Sequence, residues 1–228
     1  MLTVLTWMWR QDNVLHQYRP EYVQTLQSMV KRHLKMPHRF LCITDQDVPN
    51  VDCVPLLEEM PRVKNPRWQI HRPQCYRRLR LFDPAVKDIV GERYVQMDLD
   101  TVIVDDLDPL FDRDDDLVIN RSIGTANAYN GSMWMHRVGT YSSLCFDFNE
   151  DEALAANKAG LIGSDQAWMR WHLGKGTVPT WGTDVGSYQY HSLKPPKDLP
   201  DNARIVFFAG NIKPWHPEAR DWVREHYR

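Results

Sequence analysis

The first 44 residues alternate an apolar run, a periodic helix and a second apolar run, and this order restricts the fold most. Leu2–Trp7 and Phe40–Thr44 are predicted to be buried strands, because both are short, mainly apolar and bounded by polar residues. Between them, apolar residues recur at a helical period from Pro20 until Pro37 ends the pattern. A strand, a helix and a second strand in this order predict a parallel sheet covered by helices, and therefore an α/β fold.

The rest of the chain continues the alternation. Further strands are predicted at Val51–Val54, Tyr94–Leu99, Leu117–Asn120, Ser132–His136 and Ile205–Phe208. Further helices are predicted at Gln74–Phe82, Thr140–Phe148 and Ser164–Leu173. No repeat or low-complexity linker divides the 228 residues, so the sequence predicts one domain over residues 1–228.

Charge and cysteine content exclude several classes of protein. The formal net charge of −2 gives no reason to expect binding to nucleic acid or to an anionic membrane. The four cysteines contain no Cys-x-x-Cys pair, so a zinc site is not expected and the thiols are predicted to be reduced. The apolar start lacks a basic region and is broken at Arg10, which predicts a cytoplasmic protein without a membrane span.

The most informative segment is an apolar strand that ends in Asp98 and Asp100. Side chains two residues apart on a strand point the same way, so both carboxylates are predicted to project from one face at its carboxyl end. Neighbouring carboxylates repel each other and lose hydration, and a hard divalent cation relieves both costs. The pair therefore predicts a Mg²⁺ or Mn²⁺ site, the alternative being a solvated strand end. Asp114 and Asp116 share the spacing, but they lie in an acidic run that we interpret as a solvated loop.

Four segments in one order resemble a known family. They are Tyr76–Leu107, Asn130–Met135, Gly163–Trp168 and Phe207–His216. Together they resemble GT-A glycosyltransferases, and most closely the retaining family 8 group that includes glycogenin and galactosyltransferases. The resemblance implies a single Rossmann-like GT-A domain whose mostly parallel central sheet is flanked by helices. It also implies transfer of a sugar from a UDP-sugar or another nucleotide diphospho-sugar to an acceptor hydroxyl, with retention and with Mn²⁺ or Mg²⁺ as cofactor.

The resemblance implies a donor site at the ends of the first two strands. Thr6 and Trp7 end the first strand, where this fold receives the nucleotide base and ribose. Trp7 either stacks on the base or fills the core. Asp45 ends the second strand and either accepts hydrogen bonds from ribose hydroxyls or caps a turn.

The same resemblance implies contacts to the diphosphate. Arg78 occupies the position of an arginine that contacts the donor. Lys213 is expected to bind the diphosphate, because Gly210 and Trp215 surround it at the family spacing. The alternatives are a solvated basic face for Arg78 and an ordinary surface position for Lys213.

Three further residues are assigned to the sugar by the resemblance. Asp165 contacts a sugar hydroxyl near the anomeric carbon, or else only stabilises the start of a helix. Gln166 faces the same carbon as a weak nucleophile or an electrostatic stabiliser. Asn130 contacts the sugar or belongs to an ordinary turn.

The chain departs from the family at the third protein ligand of the metal. Family members carry a histidine just before the conserved glycine, where this chain has Phe207–Ala209. Either His191 or His216 substitutes, or two carboxylates and the diphosphate hold the metal, or the dependence on metal is weakened.

Two other functions fit parts of the sequence. A sugar nucleotidyltransferase usually has a glycine-rich, basic phosphate loop at its start, and Leu2–Asn13 contains no glycine. A non-catalytic module that binds sugar or nucleic acid would explain the basic segment Arg62–Phe82, which has seven Lys or Arg and no acid, but not the Asp98–Asp100 pair. The expected acceptor is a saccharide or another hydroxyl compound, with a nucleic acid as a minor alternative.

Overall fold

The computed structural model describes residues 1–10, 17–63, 75–190, 197–210 and 212–228, and two sheets organise it. The strands are β1 Leu2–Met8, β2 His38–Thr44, β3 Cys53–Val54, β4 Arg93–Met97, β5 Thr101–Ile103, β6 Leu117–Arg121, β7 Tyr129–Arg137, β8 Thr180–Trp181, β9 Ser187–Tyr190 and β10 Ile205–Phe208. Seven of them form the central sheet in the order β3-β2-β1-β4-β7-β6-β8, and β5, β10 and β9 form a small second sheet.

The central sheet is mostly parallel. β1 pairs in parallel with β2 and β4. At the two edges, β2 pairs in parallel with β3, and β6 with β8. Among the described strands of this sheet, only β7 runs antiparallel to its neighbours, β4 and β6. The predicted α/β class with a mostly parallel central sheet is confirmed.

Helices cover both faces of this sheet. They are α1 Pro20–His33, α2 Lys87–Val90, α3 Asp108–Phe111, α4 Ser143–Phe146, α5 Glu150–Lys158, α6 Asp165–Leu173 and α7 Asp221–His226, with 3₁₀-helices at Tyr76–Phe82, Pro84–Val86 and Thr183–Val185. Val4 and Met8 pack on the side that holds α1 and the small sheet, whereas Leu5 and Trp7 pack on the side that holds Tyr76–Phe82 and α6. Because β1 is buried on both faces, its sequence is mainly apolar rather than alternating.

Two predicted helices differ from the observed ones. Thr140–Phe148 forms only the short α4, because Gly139 and Tyr141 have positive φ angles of 96° and 49° that a helix does not allow. Tyr76–Phe82 is a 3₁₀-helix, and the predicted start of that helix at Gln74 lies outside the described residues.

In the described part of the chain, every helix is too short or too polar to cross a membrane. The cytoplasmic location and the single domain over residues 1–228 stay predictions.

A buried histidine makes the stability of this fold sensitive to acid. His136 on β7 is fully buried, and its Nε2–H donates to the carbonyl oxygen of Thr140 at 2.8 Å. Burial lowers the pKa of His136 to about 4, whereas an unfolded histidine titrates near 6.5. The unfolded chain therefore binds the proton first, and stability that is complete above pH 6.5 is lost as the pH falls towards 4.

We expect the titration of His136 to lower the free energy of unfolding by up to about 3 kcal/mol when the pH falls from 7 to 4. Urea unfolding of the wild type and of His136→Gln at both pH values measures this, since glutamine can still donate to Thr140 but does not titrate. The variant should lose less stability on acidification, and equal losses in both proteins would contradict the assignment. Taking the difference between the two proteins cancels the contribution of all other titrating groups.

Candidate active site

The Asp98–Asp100 pair lies where the chain passes from the central sheet to the small sheet. β4 ends at Met97, the Asp98 N–H donates to the Ser132 carbonyl at 2.9 Å, and the Phe208 N–H donates to the Asp100 carbonyl at 3.0 Å. The prediction that both side chains project from one face of a continuous strand is therefore wrong, because the backbone bends between the two sheets. The predicted position at the carboxyl end of a parallel strand is confirmed.

Arg78 connects this pair to a third carboxylate. Its Nε and Nη2 contact Oδ2 of Asp165 at 2.7 and 2.6 Å, and its Nη1 donates to Oδ1 of Asp98. The guanidinium also lies over the Trp134 ring, 5.3 Å from its centroid. Burial alone would lower the pKa of Arg78, but the charges of Asp165 and Asp98 outweigh it and raise that pKa above its ordinary value. Arg78 is thus a permanently charged, buried bridge between two segments of the site.

Burial makes the carboxylates hard to ionise without such partners. The pKa of Asp98 is raised to about 6 by burial; Arg78 opposes this rise, and Asp100 and Asp165 add to it. Burial also raises the pKa of Asp165, and Arg78 again opposes the rise. Three neighbouring carboxylates share a poorly hydrated space, which is an environment that favours a bound cation.

A glycine makes room for the Arg78–Asp165 pair. A Cβ on Gly131 would lie 2.9 Å from Nη2 of Arg78 and 3.3 Å from both carboxylate oxygens of Asp165. The Gly131 N–H donates to Oε1 of Gln166 at 3.1 Å, and Nε2 of Gln166 donates to the Ile162 carbonyl at 2.9 Å. The Gln166 amide is therefore held in one orientation beside the pair.

The Asn130 side chain bonds to the backbone of its own strand. Its Oδ1 accepts a hydrogen bond from the Ser132 N–H at 2.8 Å, and its side chain is almost fully buried. This contact fixes the backbone of β7 where it leads to Gly131.

Lys213 neutralises the second carboxylate of the pair. Its Nζ donates to Oδ2 of Asp100 and, at 2.8 Å, to the Phe208 carbonyl. Gly210 lies between β10 and this lysine and is half-buried. Direct ion pairs join Arg78 to Asp98 and Asp165, and join Lys213 to Asp100. The two sets adjoin because Asp98 and Asp100 are two residues apart, and these five residues form one cluster.

The predicted nucleotide-binding residues make other contacts. Thr6 is fully buried and donates its hydroxyl hydrogen to the Met97 carbonyl at 2.8 Å. The Trp7 ring packs edge-on against Trp9, and its indole N–H has no acceptor among the residues that the structure describes. Asp45 is exposed and accepts from the Arg10 N–H at 3.2 and 3.3 Å. Thr6 thus connects β1 to the end of β4, and Asp45 holds the backbone at Arg10, just after β1.

Sequence reasoning missed two members of the site. Burial raises the pKa of Tyr18 well above its ordinary value, and the nearby charges of Asp100 and Asp98 raise it further. The Cys75 N–H donates to Ser164 Oγ at 2.8 Å, and burial raises the pKa of its thiol to about 12. Their only sequence signal is position, since Tyr18 precedes α1 and Cys75 precedes the 3₁₀-helix that carries Arg78.

The basic segment is mostly neutralised by acids where the structure describes it. Arg62 and Arg77 contact Glu59 at 3.3 and 3.5 Å, and Arg80 contacts Glu58 at 3.1 Å. Because each of these arginines has an acidic partner, the described part of the segment offers little unpaired positive charge to a nucleic acid. Arg78 alone in the described part of this segment turns towards the carboxylate cluster.

The residues present fit a divalent cation. Asp98 Oδ2 and Asp100 Oδ1 have no hydrogen-bond donor among the described residues, so each carboxylate keeps an oxygen for a hard metal. No group of three or more His, Cys, Asp and Glu suited to a metal occurs in the described ranges. Of the histidine alternatives, His191 lies outside those ranges, and Nδ1 of His216 accepts from the Glu218 N–H at 3.2 Å. Phe207, at the family's histidine position, is buried in the core.

Comparison with known proteins identifies the fold. No protein-family model and no curated protein sequence matches the chain. An active-site mutant of LgtC superposes with a TM-score of 0.61 at 14% identity, over 99% of this chain and 93% of LgtC. The galactosyltransferase LgtC in complex with donor and acceptor sugar analogues gives a TM-score of 0.60 at 14% identity, over the same shares. The glycosyltransferase GlyE of Streptococcus pneumoniae TIGR4 gives a TM-score of 0.61 at 14% identity, over 100% of this chain and 61% of GlyE. The chain therefore has the GT-A fold of these glycosyltransferases.

Proposed function

We propose that the protein is a metal-dependent glycosyltransferase that moves a sugar from a nucleotide diphospho-sugar to an acceptor hydroxyl. One observation carries this proposal: in a glycosyltransferase fold, Asp98 and Asp100 end a parallel strand and share a buried cluster with Arg78, Asp165 and Lys213. The resemblance of the sequence motifs favours a UDP-sugar as donor and retention of the anomeric configuration. A saccharide or another hydroxyl compound is the proposed acceptor.

The charges of the cluster supply a physical reason for metal dependence. Asp98, Asp100 and Asp165 carry three negative charges, which exceed by one the positive charges of Arg78 and Lys213. A site with net negative charge repels a diphosphate, whereas one divalent cation gives it a net positive charge. Asp98 and Asp100 would hold Mn²⁺ or Mg²⁺, which when bound neutralises the charge that grows on the leaving diphosphate.

The residues around the cluster are proposed to hold the sugar in place. Arg78 keeps Asp98 and Asp165 in fixed positions through its three donor nitrogens. Asp165 is proposed to accept a hydrogen bond from a sugar hydroxyl, and Gln166 to stabilise positive charge at the anomeric carbon. Transfer with retention needs no separate general base, because the departing phosphate oxygen can take the acceptor's proton.

A donor screen tests the proposal. We expect UDP with Mn²⁺ to raise the temperature of thermal unfolding more than UDP or Mn²⁺ alone, and a UDP-sugar to be hydrolysed slowly with release of UDP. Stabilisation by GDP or CMP without any response to UDP would mean that the donor carries a nucleotide other than UDP. Release of pyrophosphate from a nucleoside triphosphate would indicate a nucleotidyltransferase, and sugar binding without turnover would indicate a binding module.

Lys213 is predicted to act on the diphosphate. With saturating Mn²⁺, Lys213→Ala should weaken UDP binding by roughly ten- to a hundredfold, because one charge-assisted hydrogen bond is lost. The kcat should fall as well, since the charge on the leaving group grows towards the transition state. Lys213→Arg should recover only part of this loss, because a planar fork replaces a compact charge.

Calorimetry with UDP and steady-state kinetics with a hydrolysable donor measure these effects. The KM for the acceptor should change little in Lys213→Ala. An unchanged affinity for UDP together with a raised acceptor KM would assign this loop to the acceptor instead.

A further inference from the structure

The contacts of Lys213 conflict with a fixed role at the diphosphate. Its ammonium group lies against Oδ2 of Asp100 and the Phe208 carbonyl, and its side chain is only 13% exposed. A divalent cation on Asp100 would stand beside this ammonium in a poorly hydrated space, where like charges repel strongly. Even with the metal on Oδ1 and the lysine on Oδ2, this repulsion makes Lys213 and a metal compete for Asp100.

The two cations of the cluster differ in how firmly they are held. Arg78 is bound by two carboxylates and lies over an aromatic ring, so it is fixed in place. Lys213 has one carboxylate and one neutral carbonyl as partners, on a long flexible stem.

The backbone around Lys213 is anchored independently of its ammonium group. Ile212 is buried, and Trp215 stacks on Tyr22 with ring centroids 3.9 Å apart. The Lys213 side chain can therefore turn without movement of its loop.

We propose that Lys213 is a placeholder, which neutralises Asp100 until a divalent cation binds to this carboxylate and then turns to the diphosphate. This inference rests on the proposed function, because it takes the second position of Lys213 to be the diphosphate. It implies that metal and nucleotide each raise the affinity of the protein for the other. The metal displaces Lys213 from Asp100, and the diphosphate of the nucleotide then binds this lysine.

The test measures the affinity for Mn²⁺ in the absence of nucleotide, by electron paramagnetic resonance or calorimetry. Lys213→Met keeps the stem but removes the charge, and should bind Mn²⁺ roughly ten- to a hundredfold more tightly than the wild type. The ratio of Mn²⁺ affinities with and without UDP should shrink in the variant. Lys35→Met is the matched control, since Lys35 forms a 2.8 Å ion pair with Asp106 elsewhere on the chain, and it should leave Mn²⁺ affinity unchanged.

Lys213→Gln provides a second variant should the methionine disturb folding, because its amide can still donate to the Phe208 carbonyl. Unchanged or weaker Mn²⁺ binding in the folded variants would overturn the placeholder, even if UDP release by the wild type depends on Mn²⁺. Tighter Mn²⁺ binding with no affinity for any nucleoside diphosphate would support the exchange at Asp100 and contradict the proposed function. An equal gain of Mn²⁺ affinity in Lys35→Met would mean that the loss of any one positive charge explains the effect, and it would also overturn the proposal.

Discussion

Replacing Asp98 or Asp100 by asparagine is expected to lower Mn²⁺-dependent release of UDP by at least about a thousandfold, if UDP-sugar is the donor. Asparagine keeps the size of the side chain but removes the charge that would bind the cation, and metal charge stabilisation is worth several kcal/mol in the transition state. Asp98→Asn should be the more disruptive of the two for the protein, since it also removes a carboxylate from the buried Arg78. Initial rates across a range of Mn²⁺ concentrations measure the loss.

The chain contains a matched control for this prediction. Asp114 and Asp116 share the Asp-x-Asp spacing, but they pair with Arg137 outside the cluster, and the side chain of Asp114 is 97% exposed. Asp114→Asn should retain wild-type activity. Equal wild-type rates in EDTA and in Mn²⁺ would contradict metal dependence, whatever the variants do. Circular dichroism of each variant separates loss of the site from loss of the fold.

The sequence predicted the buried strands well because their environment is simple. β1 and β10 lie in the interior, so their apolar runs coincide with Leu2–Met8 and Ile205–Phe208 to within one residue. The short strands β5 and β9 were not predicted. They exist because β10 pairs with both of them, and such long-range pairing leaves no periodic pattern in three or four residues.

The helix α5 was missed for a related reason. Its buried positions include Ala153 and Ala156, and such small side chains give only a weak apolar pattern. Its start is marked by Asn149, whose side chain accepts from the Glu152 N–H at 2.8 Å.

The candidate site was predicted as a set of residues but not as an arrangement. Motif spacing singled out Asp165 and Lys213, yet their contacts with Arg78 and Asp100 join residues 87 and 113 positions apart. Only the fold brings β4, α6 and the segment after β10 together. Tyr18 belongs to none of the motifs, so no sequence pattern indicated that the charges of Asp100 and Asp98 act on it.

The Arg78 bridge is the contact on which both stability and activity should depend most. Arg78→Met should lower the free energy of unfolding at pH 7 by about 3–5 kcal/mol, because it leaves the buried Asp165 and the partly buried Asp98 without their cation. Donor turnover should be lost, since both carboxylates would bind protons or move apart. Arg78→Lys should restore little, because one ammonium cannot replace the three nitrogens that serve two separate carboxylates.

Urea unfolding at pH 7 and pH 5, together with donor hydrolysis, tests this prediction. In Arg78→Met the unpaired carboxyls would have raised pKa values in the folded state, so the folded protein binds more protons than the unfolded chain. The stability defect relative to the wild type should therefore shrink as the pH falls from 7 to 5. Arg77→Met is the matched control, because Arg77 lies beside Arg78 in the same 3₁₀-helix but pairs at 3.5 Å with the half-exposed Glu59. This variant should cost only about 1 kcal/mol or less. An equal defect in Arg77→Met, or a defect in Arg78→Met that does not change with pH, would mean that Arg78 only fills space and does not balance the charges of the site.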